Sequence, residues 1–179
     1  MTDHNPDSES EMDSVPPKEQ PSEPLRTDGG NDDSDTGSTI DIRELESLAD
    51  VRDVFPILVE LRDHLDEEQY LEQYVEMAGD GYTMFACDVD GEAVAVAGVK
   101  ITTNFYLGRH AYVYDLVTTE AERSNGYGRR LLEYVHEWAA DHGCEAVELE
   151  SGLWRDEAHA FYEDLGYEKY CYSFTYDLS

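Results

Sequence analysis

The residues best suited to chemistry begin at Arg123-Ser124-Asn125-Gly126-Tyr127-Gly128, where a β-type pattern gives way to a helical one. Upstream, Tyr112 to Val117 is an apolar, β-branched and aromatic run. Downstream, Leu131, Leu132, Val135, Trp138 and Ala139 recur at helical spacing until Gly143 ends the pattern. Two glycines therefore open the first turn of a helix. That turn carries unpaired N–H groups and partial positive charge, which suit an anion. Glycine lets a ligand approach the backbone closely. Arg129 and Arg130 share the turn, although a cation there opposes the helix dipole. Three of the nine arginines fall between positions 123 and 130. An anionic ligand accounts for all of these features; the plainer reading is a glycine-rich turn that starts a core helix.

Two other phosphate motifs fit less well. The third glycine of a dinucleotide fingerprint would fall at Leu131, and the Gly-Lys-Ser/Thr of a P-loop is absent. The Arg-x-x-Gly-x-Gly spacing instead resembles the acyl-CoA pyrophosphate loop of the GNAT family of N-acetyltransferases. A second segment strengthens the resemblance. Ala158-His159-Ala160-Phe161-Tyr162-Glu163-Asp164-Leu165-Gly166-Tyr167 is similar to the family's C-terminal signature, a helix bearing Phe-Tyr that ends in Leu-Gly-aromatic. Ala158, Phe161, Tyr162 and Leu165 share one helical face, and Gly166 stands where a C-terminal cap belongs. The resemblance covers roughly residues 40–179.

Acetyl transfer from a thioester to an amine requires a held donor, a proton taken from the ammonium and a proton given to the thiolate. The resemblance implies that Tyr162 supplies the second proton; a phenol stays protonated at neutral pH. It also implies a glutamate base at Glu150, the position used by family members that acetylate protein N-termini. Val147 and Leu149 form one face of that strand, so Glu148 and Glu150 lie on the other. Asp115 is the alternative base, because it interrupts an apolar strand and acids there are seldom buried without a partner or a role. For acetyl-CoA, the family uses main-chain amides that correspond to Leu116, Val117 and Thr118, then to Ser124, Asn125, Gly126, Tyr127, Gly128 and Arg129. Arg123 starts the motif, and Arg130 adds charge. Many members carry an Asn seven residues before the Tyr; Arg155 stands there in this chain. Ser151-Gly152-Leu153-Trp154-Arg155 with Ala158-His159 resembles a subgroup of its own. Arg155 is a candidate for a cofactor phosphate, with a surface ion pair as the plainer reading. His159 is a candidate second proton carrier, or a structural residue.

The implied activity is acetyl transfer from acetyl-CoA to a primary amine, by direct attack in a ternary complex without a metal. The alternative is a non-catalytic acyl-CoA-binding module that regulates a partner. The acceptor is a small-molecule or protein amine, and a homodimer stays open.

Composition bounds the rest. The 179-residue chain has 42 acidic and 12 basic residues, a formal net charge of −30, and its lysines are Lys18, Lys100 and Lys169 alone. That balance resembles a haloarchaeal, salt-adapted surface, which acts through solvation and self-repulsion. Steering of cationic amines is the weaker reading, since the Debye length shrinks to about 3 Å at 1 M salt. Without a broad basic face, nucleic acid is not an expected partner. No apolar run approaches a bilayer span, and no signal-type segment opens the chain, so a cytoplasmic protein is expected. Cys87, Cys144 and Cys171 show no zinc or disulfide spacing, and are expected to be buried thiols.

Residues 1–39 carry eleven acids, two bases and few apolar side chains, and are expected to be a disordered tail. The domain, residues 40–179, starts with a strand near Thr39–Arg43. Val51, Val54, Leu58 and Leu61 predict a helix to about Leu65, and Leu71, Tyr74, Val75 and Ala78 a second. Asp90-Gly91 predicts a tight hairpin between strands Tyr82–Val89 and Glu92–Thr102. Then come a loop at Asn104–Arg109, a strand at Ala111–Thr118, a helix at Tyr127–His142, a strand at Ala146–Glu150, a helix at Asp156–Leu165 and a strand at Lys169–Asp177. This alternation predicts a mixed α/β sheet. The resemblance implies the GNAT fold, with helices flanking a sheet whose central parallel strands, 111–118 and 146–150, splay apart to admit pantetheine.

Overall fold

The Asp90-Gly91 dipeptide sets the hairpin at the centre of the fold. In the computed structural model, which describes residues 38–178, both residues take positive φ, 53° and 87°. That geometry matches the twist of the flanking strands. The elements run β1 (Ile40–Glu44), α1 (Leu48–Asp53), α2 (Phe55–Leu58), α3 (Glu67–Gly79), β2 (Tyr82–Val89), β3 (Glu92–Asn104), β4 (Gly108–Thr118), one 3-10 turn at Glu120–Glu122, α4 (Tyr127–Asp141), β5 (Ala146–Leu149) and α5 (Asp156–Asp164). The five strands form one sheet in chain order. β1 to β4 pair antiparallel, and β4 pairs parallel with β5.

Each face of the sheet has its own core. On one face Phe85, Ala97, Val99, Ala111 and Val113 pack against Leu131, Leu132, Val135 and Ala139 of α4. Burying the phenylalanine, valine and leucine side chains among these stabilises the fold by about 1.5–3 kcal/mol apiece. On the other face Met84, Ala86, Val96 and Val117 pack against Val51, Val54, Leu58 and Tyr70 from α1 to α3. Val113 and Val117 share β4 yet serve opposite faces. The cause is a bulge: Val99 faces Val113 and Gly98 faces Asp115, so Tyr114 is an extra residue and the alternation reverses after it. As a result Asp115 points to the α1–α3 side.

Several expected elements differ. The helix predicted through Leu65 is broken after Asp53, and α2 is a single turn that ends at Leu58. Pro56 has no N–H to continue the first helix. The loop predicted at Asn104–Arg109 shrinks to residues 105–107. Asn104 Oδ1 accepts from the amides of Tyr106 (3.1 Å) and Leu107 (2.7 Å), which closes the turn. The final strand predicted at Lys169–Asp177 is not formed. Residues 167–178 belong to no strand, and Tyr172, Phe174 and Tyr176 are exposed. Alternating aromatics supply strand propensity, but a strand exists only against a partner, and Tyr170 instead stacks on Tyr106. The cysteines are free thiols, but only Cys87 is buried; Cys171 is exposed. The expected acidic tail, apart from Ser38 and Thr39, lies outside the described residues.

Candidate active site

The glycine loop enters α4 through two left-handed residues, Ser124 (φ 66°) and Gly126 (φ 84°). Gly126 is the N-cap of α4, and no side chain caps the helix. The first main-chain bond into the helix runs from Arg130 N to Gly126 O, so the amides of residues 127–129 precede the helical ladder. A Cβ on Gly128 would lie 3.0 Å from Thr118 Oγ1, so the loop sits tightly on the end of β4. Uncapped amides on a turn with glycine at 126 and 128 fit a pyrophosphate. Arg123 braces the loop: its Nε donates to Thr118 O (3.2 Å) and its Nη2 to Glu60 (2.9 Å). Glu60 also accepts from Thr119 Oγ1 and from the amide of Glu120. Arg130 is exposed, and Arg129 lies 3.9 Å from Glu133 one turn along α4. Nothing local in the sequence signals the role of Glu60, which acts across about sixty residues.

β4 and β5 pair from His110 with Ala146 to Val113 with Leu149, and the pairing stops there. Beyond Val113, β4 continues to Thr118 against β3 alone. Leu116, Val117 and Thr118 therefore lie along a stretch of β4 left unpaired on the β5 side, and the glycine loop follows at its end. An unpaired strand edge of this kind leaves main-chain groups available to an extended ligand.

Tyr162 packs against the core on the α4 side, with Phe161 and Tyr167 as ring neighbours. Burial pushes its phenol up, while the charge of Arg155 pulls it back. Its hydroxyl makes no hydrogen bond among the described residues, so it is protonated and free to donate. Arg155 is thus brought near Tyr162. Gly166, at φ 89°, ends α5 as the sequence predicts, and Tyr167 Oη lies 2.7 Å from His136 Nε2 on α4.

The two candidate bases stand on the opposite side of the sheet and differ sharply. Asp115 is 8 % exposed and held from two directions, by Arg62 Nε and by the Tyr82 hydroxyl, each at 2.8 Å. Gly98 makes the second bond feasible, because a Cβ there would lie 1.7 Å from the Tyr82 oxygen. Glu150 is exposed just past the end of β5. It lies close enough to Tyr112 to act on its phenol, which burial first and that carboxylate second push up. Glu148 is engaged elsewhere, with His110 Nε2 at 3.2 Å and the Tyr106 hydroxyl at 3.3 Å. Sequence reasoning missed Arg62, Tyr82 and Tyr112, whose partners are brought in by the bulge and by strand pairing. No group of three or more His, Cys, Asp or Glu side chains among the described residues could hold a metal ion.

The sequence profile of the acetyltransferase (GNAT) family matches residues 45–167. The chain belongs to this family. It is 37 % identical over 126 residues, 70 % of its length and 89 % of the relative's, to the uncharacterized N-acetyltransferase YhdJ of Bacillus subtilis. It is 27 % identical over 110 residues to the aminoglycoside N(6′)-acetyltransferase type 1 of Stenotrophomonas maltophilia, covering 58 % of this chain and 72 % of that one. The fold is similar to that of the aminoglycoside N-acetyltransferase AAC(6′)-Iy solved with CoA. The TM-score is 0.72 at 18 % identity, and 80 % of this chain and 97 % of that one are covered. The GNAT protein described here is therefore an acyltransferase that uses acetyl-CoA as donor and an amine as acceptor. No described helix is long and apolar enough to cross a membrane.

Proposed function

We propose that the transfer is direct, in a ternary complex, with Tyr162 as acid and Glu150 as base. The observation that carries this reading is the end of β4–β5 pairing at Val113 and Leu149. It leaves a gap that an amine can enter from the Glu150 side and that Tyr162 adjoins from the other. Leu116, Val117, Thr118 and the amides of Ser124 to Arg129 hold the donor, and Arg130 and Arg155 add positive charge. Glu150 takes a proton from the ammonium, directly or through water. The amine nitrogen bonds to the thioester carbonyl carbon, the carbon–sulfur bond breaks, Tyr162 gives its proton to the sulfur, and the second proton shed by the nitrogen returns through solvent to the Tyr162 phenolate. Glu150 is favoured over Asp115 because Asp115 already holds a guanidinium and a hydroxyl, whereas Glu150 faces solvent.

Tyr162→Phe should lower kcat about 10²–10⁴-fold, with acetyl-CoA affinity kept. Unchanged turnover would remove Tyr162 from the chemistry. Glu150→Gln should slow turnover most at low pH, where the amine is fully protonated; an intact rate there would pass the base role to Asp115 or to solvent.

Three wider readings belong with this one. The acidic surface supports salt adaptation, although the bacterial relatives lend no support to a haloarchaeal type. Free thiols support a cytoplasmic compartment. The open edge of β5 and the exposed aromatics at 172, 174 and 176 support a homodimer. Residues 40–179 are retained as the catalytic domain, with 1–39 as a dispensable tail.

A further inference from the structure

A cavity of about 250 Å³ lies on the α1–α3 side of the sheet, against the β4 bulge. Tyr74, Tyr82 and Tyr114 supply ring walls, and Leu58 and Met77 supply aliphatic ones. The Tyr82 ring stands edge-on to those of Tyr74 and Tyr114, with centroids 6.3 and 5.9 Å away. The cavity reaches toward the candidate base through Tyr114, which packs on Tyr112 at 4.7 Å, and the Tyr112 phenol feels the Glu150 carboxylate.

The charge of this cavity is unusual for the chain. The protein carries −30 overall, yet the only carboxylate lining the cavity is Asp115. Arg62 pairs with it at 2.8 Å, and no other lining residue carries a carboxylate. A second ammonium in this space would meet no free anion and would lose its hydration, which is costly without a partner. A ring would lose nothing and would gain aromatic contacts of about 0.5–1.5 kcal/mol each. An apolar cavity of about 150 Å³ holds a benzene ring, so this one has room for a ring and a short linker.

We propose that this cavity is the acceptor's specificity pocket and that it takes the uncharged, ring-bearing body of a monoamine, not a polycation. The proposal rests on the acetyl-transfer reading above. It separates this chain from what the names of its aminoglycoside-acetylating relatives suggest.

The test compares phenethylamine, spermidine and kanamycin as acceptors at saturating acetyl-CoA. Phenethylamine should have the highest kcat/KM, by at least tenfold. Tyr74→Ala should raise its KM about tenfold and leave spermidine unchanged. Gln73 is exposed at the rim, so Gln73→Glu leaves the core intact; the added carboxylate should improve spermidine several-fold. Calorimetry of phenethylamine on the wild type and Tyr74→Ala reads binding apart from chemistry. Better turnover of either polycation, equal loss of all acceptors in Tyr74→Ala, or no binding of phenethylamine would overturn the pocket. If Tyr162→Phe keeps full turnover while phenethylamine stays preferred, the catalytic assignment fails and the pocket stands. If the preference reverses in an enzyme that Tyr162→Phe disables, the pocket alone fails.

Discussion

The glycine loop proposed for the donor and the cavity proposed for the acceptor stand on two sides of one sheet and are built by different means. The loop is a contiguous segment whose functional groups are main-chain amides, shaped by Ser124 and Gly126 at positive φ. The cavity is assembled from α2, α3, β2 and β4, and its central bonds span long stretches of chain: Arg62 to Asp115, and Tyr82 to Asp115. Apart from the distant Glu60 brace, such a local device tolerates change outside its own residues. A device assembled at long range depends on every element that frames it. Changes at the loop should therefore alter donor binding and leave stability nearly intact. Changes at the cavity should alter stability and acceptor recognition together.

The sharpest way to break this comparison is one glycine on each side. Gly126→Val places a β-branched residue at φ 84°, with no atom within 4 Å of its Cβ. The strain falls on a solvent-facing turn, and the turn must deform to relieve it. Acetyl-CoA affinity should fall at least a hundredfold, equivalent to about 2.7 kcal/mol. The melting temperature should move only a little. Calorimetry and thermal unfolding read the two effects separately, and normal affinity would detach this loop from the donor.

Gly98→Ala is the counterpart on the cavity side. Its Cβ would sit 1.7 Å from the Tyr82 oxygen and 2.4 Å from the ring carbon that bears it. Tyr82 is buried and cannot swing away without leaving Asp115 with Arg62 alone. Overpacking of this kind costs about 1–3 kcal/mol. Denaturant midpoints should drop accordingly, and the acceptor KM should rise, with acetyl-CoA affinity unchanged. A variant as stable as the parent would show that the cavity wall is softer than its contacts indicate.

The same contrast explains what could be read from the sequence. The hairpin at Asp90-Gly91, the helix that begins at Tyr127 and the cap at Gly166 are local signals, and the structure bears them out. The glycine turn was legible because it is written in consecutive residues, and the donor role proposed for it needs only their backbone groups. The helix expected to run to Leu65 was misread because periodicity ignores the missing N–H of Pro56. The strand expected at Lys169–Asp177 was misread because propensity does not supply a pairing partner. Arg62 and Tyr82 could not have been singled out. Their partner Asp115 is turned toward them by the extra residue Tyr114, and a bulge leaves no mark in a hydrophobic pattern.

The smallest predicted effect concerns the joint that ties α5 to the donor helix. His136 lies 2.7 Å from the Tyr167 hydroxyl, with ring centroids 5.5 Å apart. Burial holds its imidazole below the ordinary value of 6.5, against a weaker upward pull from Glu133. A depressed folded value means that the unfolded chain binds the proton more readily. The stability that follows is fully present above pH 6.5, and it is lost as pH falls through the lower folded value. His136→Gln keeps a polar partner for Tyr167 but does not titrate. Its unfolding free energy should decline less than the parent's as pH falls below 6.5. Denaturant curves at a series of pH values, in molar salt to damp the many carboxylates, check this. If parent and variant decline in parallel, the His136–Tyr167 joint carries no pH-dependent share of the stability. The coupling of α5 to α4 then rests on apolar packing alone.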